Sequence, residues 1–207
     1  MRRILLVVWC ICDVAVANEA DLQGKKYAAL ILPENVTLGM TRDAIQSARP
    51  EAKKLDASLV TRRNNAVVLT ELKKGVSPAT CYQYHFVDNH LRAVTKGILH
   101  PGERDDQKMK HIHEVFAKDL VKQMDEKIIR LDANMQQVPV TAELWKDEKN
   151  GICVYFVDTS KDTTIITFDP RYFAKRDFFV TADQMPEIAP ALETVRRQIE
   201  ESKKLKK

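Results

Sequence analysis

Cys81-Tyr82-Gln83-Tyr84-His85-Phe86-Val87-Asp88-Asn89-His90-Leu91-Arg92-Ala93-Val94 is the stretch whose reading sets the architecture. Tyr82, Tyr84 and Phe86 alternate with Gln83, His85 and Val87. A period of two is the pattern of a strand with one buried face. Asp88-Asn89-His90 supplies turn residues, and Leu91 to Val94 begins a return strand. A fainter copy follows downstream. Gly151 to Asp158 reads GICVYFVD and leads through Thr159–Asp162 into TTIITFD, with Phe-Val-Asp at the corner of both copies, at 86–88 and 156–158.

Working outward from the first hairpin, Ala66–Leu72 reads as a further strand and Lys73–Thr80 as a loop. Upstream, Thr41 is a good N-cap and Asp43 suits the first turn of a short helix. Met40 and Ile45 are placed as a hydrophobic staple. Arg49 precedes Pro50, which pushes it out of helical geometry, so this helix ends near Ala48. Tyr27–Leu32 is an apolar run stopped by Pro33, a short strand or packed segment. Asn35-Val36-Thr37 has the form of a glycosylation sequon.

Downstream, Met109, Ile112, Phe116, Leu120, Met124, Ile128 and Leu131 are spaced three or four apart. That stripe predicts one long helix over 103–131, with its apolar side toward a core. Strands at Val138–Trp145, Ile152–Val157 and Thr163–Phe168 follow. The expected fold is therefore α+β. Helices pack on an antiparallel meander sheet, in two similar helix-plus-three-strand units covering 18–99 and 100–180. Each unit is small for an independent core, so the halves are expected to share a sheet or pack tightly. Tyr172, Phe173, Phe178 and Phe179 either close the core or present a contact surface. Residues 181–207 read as a C-terminal helix with apolar Ile188, Leu192, Val195 and Ile199, ending in a basic tail.

The chain has 207 residues and a formal charge of +4, with both signs interspersed. A nucleic-acid binder concentrates its basic residues into a stripe, so no nucleic-acid partner is expected. Arg2-Arg3, the apolar run Ile4–Cys12 and Ala15-Val16-Ala17 have the form of a secretory leader cut between Ala17 and Asn18. The apolar run is too short to cross a bilayer, which takes about 20 residues. The mature protein is expected in the periplasm or outside the cell, with membrane contact at most peripheral.

Removing residues 1–17 leaves Cys81 and Cys153. In an oxidising compartment these two invite a disulfide, worth about 4 kcal/mol for a loop of about 70 residues on the chain-entropy model. The alternative is two half-buried thiols acting as small hydrophobes. An ungapped match of the two Phe-Val-Asp corners aligns Cys153 with Gln83, so the cysteines share strand parity without being equivalent.

No catalytic, cofactor-binding or metal-binding residue can be assigned. On a helix His111 and His113 point away from each other, whereas a zinc pair needs a spacing of four. Gly75-Val76-Ser77-Pro78 lacks the second glycine of a nucleophile elbow. There is no phosphate-cradling glycine loop and no C-x-x-C pair.

The capped Leu38-Gly39-Met40-Thr41 helix and the Tyr84-x-Phe86-x-Asp88-Asn89-x-Leu91 hairpin resemble the SmpA/OmlA and β-lactamase-inhibitory-protein (BamE/BLIP-like) superfamily. Phe116-x3-Leu120 followed by Trp145 is similar to the later part of such proteins. The resemblance spans about residues 37–170. It departs at Ala48-Arg49-Pro50, where only the proline of the family's leucine-glycine-x-proline is kept, and the lipid-anchoring cysteine is missing. It implies an extracytoplasmic binding or envelope-assembly module with a protein or peptide partner. The expected function is accordingly non-enzymatic. The alternative is a periplasmic hydrolase whose pocket collects His85, His111 or His113.

Overall fold

The computed structural model describes residues 25–54, 66–73, 79–100, 105–131, 137–159, 161–179 and 193. The leader with its Ala17/Asn18 cut, the Ser77 loop and the C-terminal apolar stripe lie outside these residues.

The hairpin forms where the alternation places it. Strand β3 (Thr80–Val87) turns at Asp88 and Asn89 into β4 (His90–Leu99). Both turn residues have positive φ, 50° and 65°. A two-residue hairpin turn needs this left-handed geometry, which Asp and Asn tolerate best after glycine. A bulge between His85 and Phe86 leaves Arg92 as the extra residue of β4: His85 faces Ala93, and Phe86 faces Leu91.

Strand β2 (Val67–Lys73) pairs with β3, and a two-residue β1 (Lys53–Lys54) borders β2. The second meander is β5 (Val121–Leu131), β6 (Gln137–Asp147), β7 (Ile152–Asp158) and β8 (Asp162–Phe168). Its last strand lies against the last strand of the first meander. Ala93–Leu99 pairs with Asp162–Phe168 through seven antiparallel residue pairs. The result is one eight-stranded sheet in the order β1-β2-β3-β4-β8-β7-β6-β5.

This corrects the expected fold class. The molecule is mostly one large antiparallel sheet with a few short helices, not two helix-plus-three-strand units. The β4–β8 ladder crosses the boundary drawn at 99/100. Among the described residues helices α1 (Lys26–Ile31), α2 (Arg42–Ala48) and α4 (Lys175–Phe178) are 6, 7 and 4 residues long, and only α3 (Asp106–Asp119) reaches 14.

The long helix expected over 103–131 stops at Asp119, and 121–131 is strand β5. The stripe misled for a geometric reason. Met124 and Ile128 are four apart, which keeps one face of a helix but also one face of a strand. Pairing with β6 decides between them, and Val121, Ile128 and Ile129 are β-branched and suit it. Tyr27–Leu32 likewise contains α1 rather than a strand; it buries Tyr27, Ala28 and Ile31 as one helical side. Helix α2 keeps its expected limits, with Thr41 Oγ1 accepting from the Ala44 amide at 3.3 Å.

The sheet has a core on each face. On one face, helices α1–α3 pack Tyr27, Ile31, Ile45, Ile112 and Phe116 onto Leu69, Tyr84, Phe86, Val94, Phe156 and Ile165. Phe116 meets Trp145 and Phe156 edge-on, each at 5.9 Å between ring centres. Each such fully buried side chain contributes about 2–3 kcal/mol. Among the described residues no helix is long and apolar enough to cross a membrane.

Candidate binding face

Among the described residues the other face carries no helix longer than α4. Strand parity assigns it Gln83, His85 and Val87 of β3, Ala93, Thr95 and Gly97 of β4, Ile166 and Phe168 of β8, and Cys153, Tyr155 and Val157 of β7. Its own core holds Ala93, Tyr155, Ile166, Phe168, Phe173 and Phe179, with Tyr172 and Phe178 against it.

One end of this face is covered by residues 169–179. The segment leaves β8 at Asp169, whose amide donates to Arg92 O at 2.9 Å. The Arg171 guanidinium donates to both Asp169 carboxylate oxygens, at 2.6 to 3.1 Å. Arg92, carried out of register by the bulge, lies 4.4 Å over the Tyr172 ring. The Asp177 carboxylate accepts from the Ala174 amide at 2.7 Å, which starts α4. Lys175 Nζ then reaches Glu126 of β5 at 2.6 Å. Phe178 sits on Phe168 and Phe173, and Phe179 stands edge-on to Tyr155.

His85 lies under this segment and is 1% exposed. Its ring meets Phe173 and Phe178 edge-to-face at 6.0 and 5.7 Å. Nε2 is 3.1 Å from Thr95 Oγ1, while Nδ1 is buried without a partner. Burial alone pulls the imidazole down to about 4, so it is neutral at pH 7.

The opposite end is bounded by the β5–β6 ribbon. Residues 127–131 and 137–141 pair with each other beyond the last β6–β7 pair, Ala142–Val157. Arg130 of this overhang nonetheless donates to both Asp162 oxygens at the start of β8, at 2.6 and 3.1 Å. In a flat sheet strands three places apart are about 14 Å away from each other. The ribbon therefore curls over the face. The floor next to it contains Thr70, Leu72, Cys81, Thr95, Gly97 and Leu99. Leu72 and Leu99 are 53% and 55% exposed. A Cβ built at Gly97 would meet only Cys81 O, at 3.9 Å, so the missing side chain leaves a shallow dip.

Cys81 and Cys153 are both free thiols, the first half-buried and the second buried. They share this face, as their parity implies, but β4 and β8 lie between their strands. That separation of about 14 Å exceeds the roughly 7 Å between Cα atoms that a disulfide spans. Burial pushes the Cys153 thiol up, the setting of an inert core cysteine. Cys81 Sγ has Thr70 Oγ1 at 3.7 Å for company and no imidazole, so no nucleophile–base pair is built there.

The histidines do not converge. His113 of α3 is on the helix-covered face, with Nε2 3.3 Å from Glu143 Oε2 but outside hydrogen-bonding geometry. Glu143 also accepts from Trp145 Nε1 at 3.0 Å and pairs with Lys122 at 3.3 Å. His111 is exposed on α3, His100 meets Thr163 Oγ1 at 2.8 Å, and His90 meets Asp88 O at 2.8 Å. Among the described residues no three His, Cys, Asp or Glu side chains come close enough to hold a metal ion.

Sequence reasoning missed a buried polar cluster on the helix-covered face. Glu71, 4% exposed, accepts from Arg49 Nε at 2.9 Å, from Arg49 Nη2 and from the Tyr84 hydroxyl at 2.7 Å. Burial pushes the Glu71 carboxyl up, and the Arg49 and Tyr84 hydrogen bonds more than reverse this, leaving it below its ordinary value. Nearby, Lys96 Nζ donates to Leu30 O at the end of α1 and lies 5.8 Å from the Tyr82 ring centre. The only available signal was a charge at an inward position of an alternating strand, Glu71 between Leu69 and Lys73.

No family model, curated protein or solved structure matches this chain.

Proposed function

We propose that the chain is a non-enzymatic module that binds a protein or peptide, or assists envelope assembly, in the periplasm or after secretion. Its contact surface is the open end of the face opposite helices α1–α3. The observation that carries this reading is the pair Leu72 and Leu99, two large aliphatic side chains more than half exposed on a floor of small residues. Large exposed apolar groups on one face favour a partner that covers them. The leader read at residues 1–17 supports the compartment. The hydrolase reading needs two histidines and a carboxylate in one pocket. His85 and His113 stand on opposite faces of the sheet, and no observation favours that reading.

The test is photo-cross-linking from position 95 or 83 of the mature chain in an envelope extract. A discrete adduct is expected, lost when Leu72→Asp and Leu99→Asp are combined. An adduct unchanged by those substitutions would place the contact elsewhere. Recovery of the protein only from the cytosol, with residues 1–17 intact, would overturn the compartment.

A further inference from the structure

The binding reading leaves unused the one imidazole that is sealed inside the molecule. We propose that His85 makes segment 169–179 a proton-released latch over the face opposite helices α1–α3, opening it when the imidazole takes up a proton. This rests on the proposed function in one respect only: the opened face enlarges the contact surface.

The geometry supplies the argument. His85 is 1% exposed, and Phe173 and Phe178 of the segment stand on its ring. A proton on the orphan Nδ1 would create an imidazolium whose new N–H has no acceptor. Among the described residues no charged group facing the ring from the surrounding elements offers compensation. Strand β2 presents Val68 and Thr70, β3 presents Gln83 and Val87, and β4 presents Ala93 and Thr95. Arg92 is over Tyr172, Arg171 is bound to Asp169, Lys175 to Glu126, and Asp177 to the Ala174 amide. Arg176 is exposed and of the wrong sign to help. Lifting the segment gives the cation water at once, because two of the rings that seal it belong to the segment.

The ordinary imidazole value of 6.5 falls to about 4 in the closed form. Full protonation therefore favours the open form by up to about 300-fold, the ratio of the two acid constants. A closed-to-open ratio below that figure at pH 7 is what the latch requires.

The test is hydrogen exchange of the isolated mature protein from pH 7 to pH 4, corrected for intrinsic rates, read on peptides from 168–179 and from β3, β4 and β7. Wild type should lose protection in 168–179, by up to about 100-fold over this range, while the three strands stay protected. His85→Phe, and His85→Gln as a second variant, should keep the segment closed at both pH values. The His85 ring resonance of the unmodified protein should titrate in step with the exchange, which decides the matter even if neither variant folds. Equal loss in wild type and variants would mean that a group other than His85 opens the segment and would overturn the proposal. So would no loss, or simultaneous loss in all strands. No partner is present, so failure of the cross-linking experiment leaves this result standing.

Discussion

The two faces of the sheet treat buried polar groups differently. Under the helices, Glu71 has Arg49 and Tyr84, the Tyr27 hydroxyl has Asp147 at 2.6 Å, and Lys96 has the Leu30 carbonyl. Among the described residues two buried side-chain atoms there make no hydrogen bond, the neutral Thr167 Oγ1 and His113 Nε2, and the second faces the Glu143 carboxylate at 3.3 Å. Under segment 169–179, a titratable ring is left with one nitrogen unsatisfied. Paired groups cost little until a partner is removed, whereas an orphan imidazole is sensitive to pH with nothing removed. The helix-covered face is built to stay closed and the other to respond.

The largest effect is expected from Arg49→Met. It strands the Glu71 carboxylate, 4% exposed, with only the Tyr84 hydroxyl. The loss should be about 3–5 kcal/mol, read as a lower urea midpoint. Replacing Arg49, Glu71 and Tyr84 together by Met, Leu and Phe should cost less than Arg49→Met alone, because no charge is then left behind. A triple variant as unstable as the single one would mean that the cluster matters for shape and not for pairing. The pH sign follows from the lowered carboxyl value. Glu71 contributes stability above its ordinary 4.5, and that contribution is lost as pH falls through its lower folded value.

His85 comes next, in a different pH window. Its folded value, about 4, is below the ordinary 6.5, so between these the unfolded chain holds more protons. Stability should therefore fall as pH drops from 6.5 to 4, by about 3 kcal/mol if the segment stays closed. His85→Leu should flatten this part of the curve and leave the fall below 4.5 intact. A latch that opens sharpens the comparison, because the loss then stops at the free energy that holds the segment down. A wild-type curve with the full loss and no plateau would make both faces equally rigid.

Lys96 tests the paired face from the alkaline side. Burial, then repulsion from Lys108 and Lys73, lowers its amine from 10.5 to about 8. The unfolded chain holds more protons between those values, so stability should rise with pH across that window. The rise should be about 1 kcal/mol, discounted because the amine is not fully buried. Lys96→Met should remove the rise, measured as thermal midpoints from pH 7.5 to 10.5.

Legibility in the sequence followed the range of the interaction. The Tyr82/Tyr84/Phe86 alternation, the Asp88-Asn89 turn and the Thr41 cap act within a few residues, and they stand where the pattern put them. The 120–131 stretch did not, because a spacing of four fits both helix and strand, and β6 is what decides. The joining of the halves into a single sheet depends on β4 meeting β8 across about 70 residues, which no local pattern encodes. His85 looked like the polar side of a half-buried strand. Only the aromatic segment, some 90 residues later, turns that side into an interior. The Arg49–Glu71 pair was hidden for a similar reason: its members sit 22 residues apart on a helix end and a strand.

The smallest expected effect on stability belongs to Leu72→Asp combined with Leu99→Asp. Both side chains are already more than half in water, so each change should alter the stability read from urea unfolding by no more than about 0.5 kcal/mol. The same substitution at Ile112, 4% exposed beneath the helices, should prevent folding, because an unpaired carboxylate would enter the first core. The contrast separates packing from contact. If the double variant is as stable as wild type and still loses its cross-linked adduct, Leu72 and Leu99 are held at the surface for a partner. If it loses several kcal/mol, those side chains belong to the core of the second face, and the open floor is smaller than its exposure implies.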